Sequence, residues 1–136
     1  MMKKIIAAVL VSTLSVSGFA ANRVVFSCTN KQGKKVEVRE IGQNIQYSFG
    51  RPGHPELVFR NSKTQAAEQA NKYLPNYYYE EWLVLKNGEY LYIPGTFTNG
   101  KITNEGGVWV QRDDKTISSI ICDKKKKDLY INFDGD

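Results

Sequence analysis

Few residues in this chain carry chemistry, and their spacing suits pairing and binding better than catalysis. The single histidine, His54, stands between Gly53 and Pro55. It cannot build a multi-histidine metal site, and no nucleophile elbow or Cys-His pair lies near it in sequence. Glu80 and Glu81 are adjacent, and neighbours in a strand point to opposite faces, so the two carboxylates cannot flank one glycosidic bond. No catalytic residue, metal-ligand set or cofactor motif is expected from these patterns. A secreted enzyme whose residues converge only on folding is the remaining enzymatic option. The two cysteines, Cys28 and Cys122, lie near opposite ends of the chain. That separation suits neither a redox dithiol nor a thiolate metal pair, and it predicts a disulfide. Closing so long a loop removes about 4–5 kcal/mol of unfolded-state entropy in the chain-entropy model.

The start of the chain agrees with oxidised cysteines. Lys3 and Lys4 precede an apolar run from Ile5 to Leu14, and Gly18-Phe19-Ala20 supplies small residues at a cleavage site. This is the pattern of a secretory signal peptide over residues 1–20, cut after Ala20 or Ala21. The run is too short to span a membrane, and no cysteine stands directly after the cleavage site to carry a lipid. The expected product is one domain over 21–136, exported to a bacterial periplasm. The whole chain has 136 residues with 19 basic and 14 acidic side chains. Such a mild excess favours acidic surfaces or murein and falls short of a nucleic-acid footprint.

Strand patterns dominate the rest. Arg23–Cys28 is β-branched and aromatic, Lys34–Arg39 alternates Val36 and Val38 with charges, and Ile45, Tyr47 and Phe49 alternate with polar partners. Gly50 to Pro55, with two prolines and two glycines, reads as an unpaired loop before a short strand over Glu56–Arg60. Asn61 or Ser62 can cap a helix from Lys63 to Ala70. Tyr77–Leu85 and Glu89–Ile93 form a hairpin across Asn87-Gly88, and a second Asn-Gly follows at Asn99-Gly100. Val108–Val110, Thr116–Cys122 and Leu129–Phe133 complete the pattern. The chain is therefore expected to be all-β: a small antiparallel barrel or sandwich of about eight strands with one short helix and one disulfide.

Three surface features remain. Tyr77-Tyr78-Tyr79 with Trp82 concentrates aromatic rings, half of which a core explains, and Tyr90, Tyr92 and Trp109 extend the set. Lys124 to Lys127 follows Cys122 closely, in the manner of an edge gatekeeper or a contact for an acidic partner or membrane. Lys101, beside Gly100 at a hairpin tip, can reach into a partner's cleft and meet carboxylates there.

In outline the chain resembles the small periplasmic and membrane-bound inhibitors of c-type lysozyme. Those are secreted β-barrels with a disulfide that open on an aromatic-x-Cys strand, as Phe26-Ser27-Cys28 does here. Their Ser-Gly-x-x-Tyr loop and a lysine on a neighbouring loop enter the lysozyme cleft. Asn87-Gly88-Glu89-Tyr90 and Lys101 are the nearest match, with asparagine in place of serine and a Gly-Tyr spacing one residue short. Periplasmic immunity proteins against muramidase bacteriocins such as pesticin are similar in size and export. The resemblance implies a non-enzymatic protein that binds and inhibits a cell-wall-degrading muramidase. Asn87, Gly88, Tyr90, Tyr92 and Lys101 would make the contact, with no nucleic acid, cofactor or membrane span involved. The competing expectation is an envelope-associated accessory domain that binds murein or lipopolysaccharide through its aromatics and lysines.

Overall fold

A computed structural model describes residues 22–72, 79–97 and 105–134; residues 1–20, expected to be a signal peptide, and Tyr77, Tyr78 and Lys101 lie outside them. Alternation of apolar and polar residues produces the first three strands where expected: β1 (Asn22–Thr29), β2 (Lys35–Ile41) and β3 (Asn44–Arg51). Val36, Val38, Ile45 and Tyr47 turn inward and are buried, while the residues between them stay partly open.

Gly50–Pro55 is not an unpaired loop. β3 runs to Arg51, and β4 (His54–Ser62) begins two residues later across Pro52-Gly53. Proline fits the first central position of a type II turn, and Gly53 (φ 79°) supplies the positive φ that the second requires. Pro55 is accommodated because β4 is an edge strand, where a missing N–H need not break a ladder. The register shifts between Phe49 and Gly50.

The helix α1 (Lys63–Lys72) follows directly, and Ser62 caps it by accepting from the Gln65 N–H at 3.0 Å. The long strand expected over Tyr77–Leu85 is divided instead. β5 (Tyr79–Trp82) and β6 (Leu85–Asn87) both pair with β7 (Tyr90–Phe97). The gap falls opposite Pro94, which accepts from the Leu83 N–H at 3.0 Å but has no N–H to return. β8 (Glu105–Arg112), β9 (Lys115–Ile121), a 3₁₀ turn at Lys124–Lys126 and β10 (Tyr130–Ile131) complete the chain.

Among the described residues the ten strands form two antiparallel sheets, ordered β10-β1-β2-β3-β4 and β5-β7-β8-β9, with β6 also on β7. The sheets pack as a sandwich and do not close into a barrel. The core between them contains Phe26, Val36, Val38, Tyr47, Leu85 and Val108, with Ala66 of the helix. The expected disulfide is present: Cys28 of β1 joins Cys122, just beyond β9, with Cα atoms 5.6 Å apart. It ties one sheet to the other.

Candidate functional site

The hairpin registers bring two turns to one end of each sheet. Thr29, Lys35, Gly50 and Pro55 lie side by side across the first sheet. In the second sheet Asn87 pairs with Tyr90, Leu91 with Gln111 and Arg112 with Lys115. Between the sheets opens a cleft of about 540 Å³. Phe49, Leu57, Tyr90, Tyr92, Val110 and Ile117 supply its apolar lining, and Asn30, Gln32 and Lys34 its polar rim.

At the β6–β7 tip Asn87 belongs to the strand, and the two turn residues are Gly88 and Glu89. Gly88 has φ 63° while Asn87 and Glu89 have no positive φ, so glycine takes the first central position alone. The hairpin expected across Asn87-Gly88 thus turns one residue later. On the neighbouring hairpin Asp113 (φ 52°) and Asp114 (φ 65°) both adopt positive φ, the signature of a type I′ turn.

Tyr90 and Tyr92 alternate along β7 and both line the cleft. Tyr92 is half-buried; its ring lies 5.1 Å from Tyr47 and 5.0 Å from Phe59, joining the two sheets in a three-ring cluster. Tyr90 lies nearer the tip. The Arg112 guanidinium sits 5.5 Å from its ring centroid and reaches the Glu89 carboxylate at 2.9 Å. Arg112 and Tyr90 therefore form one presented unit, a stacked cation and ring.

Tyr47 marks the inner part of the cluster. Its side chain is fully buried, and its hydroxyl has no hydrogen-bond partner. Burial, and secondarily the neighbouring Tyr92, pushes its phenol well above the usual tyrosine range, so it stays neutral.

Of the residues named from the sequence, Asn87, Gly88, Tyr90 and Tyr92 share the β6–β7 hairpin, with Tyr90 and Tyr92 in the cleft wall, and Lys101 lies outside the described residues. The strand ends that lead to Lys101, Phe97 and Glu105, pair with each other at the far end of β7. At about 3.3 Å per residue, β7 separates Tyr90 from Phe97 by about 23 Å. Glu80 and Glu81 are exposed, and His54 is exposed at the start of β4. No group of His, Cys, Asp and Glu that could hold a metal ion occurs among the described residues. Arg112 reaches Tyr90 through the β7–β8 pairing, and Phe49 and Ile117 join Tyr90 only in the cleft lining, neither of which sequence spacing displays.

No protein-family model, curated protein or solved structure matches the chain.

Proposed function

We propose that this is an exported periplasmic binding protein that protects the cell by occluding a murein-degrading enzyme, as a lysozyme inhibitor or a bacteriocin immunity protein does. The observation that carries the reading is the hairpin end of the second sheet: two tight turns of fixed register stand beside a cleft with aromatic walls on a disulfide-tied frame. Turns held in this way lose little freedom on docking, so their contact energy is kept as affinity. Tyr90 with Arg112 offers the kind of anchor enriched at binding hot spots. Asn87 and Gly88 shape the tip, Tyr92 fixes the wall behind it, and Lys101 is a separate cationic contact. The Lys3-Lys4 segment and the oxidised cysteine pair support export.

The test is capture of the mature domain by a panel of immobilised muramidases, followed by a turbidity assay on purified cell walls. Inhibition at a stoichiometric dose supports the reading. Absence of both capture and inhibition across c-type, g-type and bacteriocin muramidases overturns it.

A further inference from the structure

The segment after the disulfide has a construction that the muramidase reading does not use. Thr29 holds it at both ends: its carbonyl accepts from the Asp123 N–H at 2.9 Å, and its N–H and hydroxyl donate to the Asp128 carboxylate at 3.2 and 2.6 Å. Between these anchors Lys124–Lys126 winds into a 3₁₀ turn, with Asp123 accepting from the Lys125 N–H and Lys127 closing the turn at φ 52°. Both aspartates are thus engaged with neighbouring groups. All four lysines are exposed, and among the described residues none makes an ion pair. Lys31, also exposed, stands two residues beyond Thr29.

Apolar surface borders this knob. Leu129 and Tyr130 follow it at 37% and 45% exposure, and Ile121 precedes it at 39%. Leu129 packs over Gly106 beside Cys122, so that a Cβ added at Gly106 would meet its methyl carbons at 2.8 Å. A cleft of about 400 Å³ runs there, with Lys124 and Lys127 on its wall and Leu129 and Cys122 in its lining. Exposed cations beside exposed leucine, tyrosine and isoleucine are the composition of a surface that rests on a bilayer: ammonium groups meet phosphates while apolar side chains enter the headgroup boundary.

We propose that this corner, Lys124–Lys127 with Leu129 and Tyr130, docks the protein on an anionic phospholipid surface. The inference does not rest on muramidase binding, which would use the hairpin end around Tyr90. Docking would keep the protein at the membrane and leave the Tyr90–Arg112 unit free, because Arg112 lies six residues along β8 from the Gly106 that Leu129 covers.

The experiment is flotation of the mature domain with vesicles of phosphatidylglycerol and phosphatidylcholine, and with phosphatidylcholine alone, at low and physiological salt. Expected is binding to the anionic vesicles only, weakened by salt. Replacing Lys124–Lys127 by serine should lower it by at least about tenfold. A charge-matched control with Lys35, Lys72, Lys86 and Lys115 replaced by serine should retain most of it. Leu129→Ser with Tyr130→Ser should weaken the binding that persists at physiological salt. Equal loss in the two lysine variants would reduce the effect to net charge and overturn the site. Equal binding to neutral vesicles, or displacement by millimolar inorganic phosphate, would overturn bilayer docking. Circular dichroism and the intact disulfide mass confirm that each variant is folded.

Discussion

Asn61 pairs with Lys86 as though its side-chain amide were a piece of backbone: Nδ2 donates to the Lys86 carbonyl at 2.9 Å, and Oδ1 accepts from the Lys86 N–H at 2.8 Å. Asn61 is on the edge strand of one sheet and Lys86 on β6 of the other, so the amide stitches the sandwich on the side away from the disulfide. Gln69 of the helix donates to the same Oδ1 at 3.0 Å and to the Val84 carbonyl at 2.8 Å. With Asn61 only 3% exposed, water cannot replace these bonds without opening the edge.

Asn61→Ala should therefore cost about 2–4 kcal/mol, since several polar groups lose partners at once. Asn61→Asp should be nearly as harmful, because the donor to Lys86 is lost and a carboxylate is buried. Urea denaturation checks both. A double-mutant cycle with Gln69→Ala should show coupling, as residues that share an acceptor are not additive. A loss below about 0.5 kcal/mol for Asn61→Ala would show that the stitch adds nothing net.

The disulfide should carry a comparable load. Cys28 and Cys122 are 94 residues apart in sequence, and a crosslink of that span stabilises by about 4–5 kcal/mol in the chain-entropy model. Reduction, or replacement of both cysteines by alanine, should lower the urea midpoint by a corresponding amount at unchanged pH. Because Cys28 is fully buried, reduction under native conditions should be slow and limited by local opening.

Much of this architecture is legible in the sequence because the governing physics is local. Alternation around Val36, Val38, Ile45 and Tyr47 sets which faces are buried, and Gly88 and Gly53 locate turns through their tolerance of positive φ. Where local signals compete with tertiary ones, the reading shifts. The prolines at 52 and 55 suggest a break, but a two-residue turn takes Pro52 and the edge strand tolerates Pro55. Pro94 divides a strand by failing to donate to its neighbour across the sheet, an effect visible only once the register is known. The candidate site is less legible for the same reason. Tyr90 and Tyr92 stand out as aromatics, whereas Arg112 joins Tyr90 from 22 residues away through the β7–β8 pairing.

Tyr47 gives a pH signature. Its phenol is neutral and unpaired in the folded core, and its pKa lies above the unfolded value, which is about 10. The unfolded chain releases this proton first, so stability is fully present below about pH 10 and falls as pH rises beyond it. Tyr47→Phe should remove this contribution to the alkaline decline. At neutral pH it should change stability by less than about 1 kcal/mol, or raise it, because the hydroxyl makes no bond to lose. Tyr47→Ala, by contrast, should cost about 3–5 kcal/mol through the cavity it leaves beside Phe59 and Tyr92. Urea titrations between pH 7 and 11 separate these outcomes.

The binding proposal makes its own energetic demand. Tyr90 and Arg112 act as one unit, so Tyr90→Ala and Arg112→Ala should each weaken muramidase inhibition by about 1–3 kcal/mol and be strongly non-additive together. Lys101→Ala should cost about 2–5 kcal/mol where its ammonium meets a buried carboxylate of the enzyme. A double variant of Tyr90→Ala with Lys101→Ala should show whether the two contacts act independently, adding within about 0.5 kcal/mol if they do. Inhibition constants for the single and double variants, measured by turbidity, decide the matter. If Lys101→Ala inhibits as well as the parent, Lys101 is no part of the contact. If Tyr90→Ala does so, the cleft end is not the contact, and the partner must be sought at the end where Phe97 and Glu105 emerge.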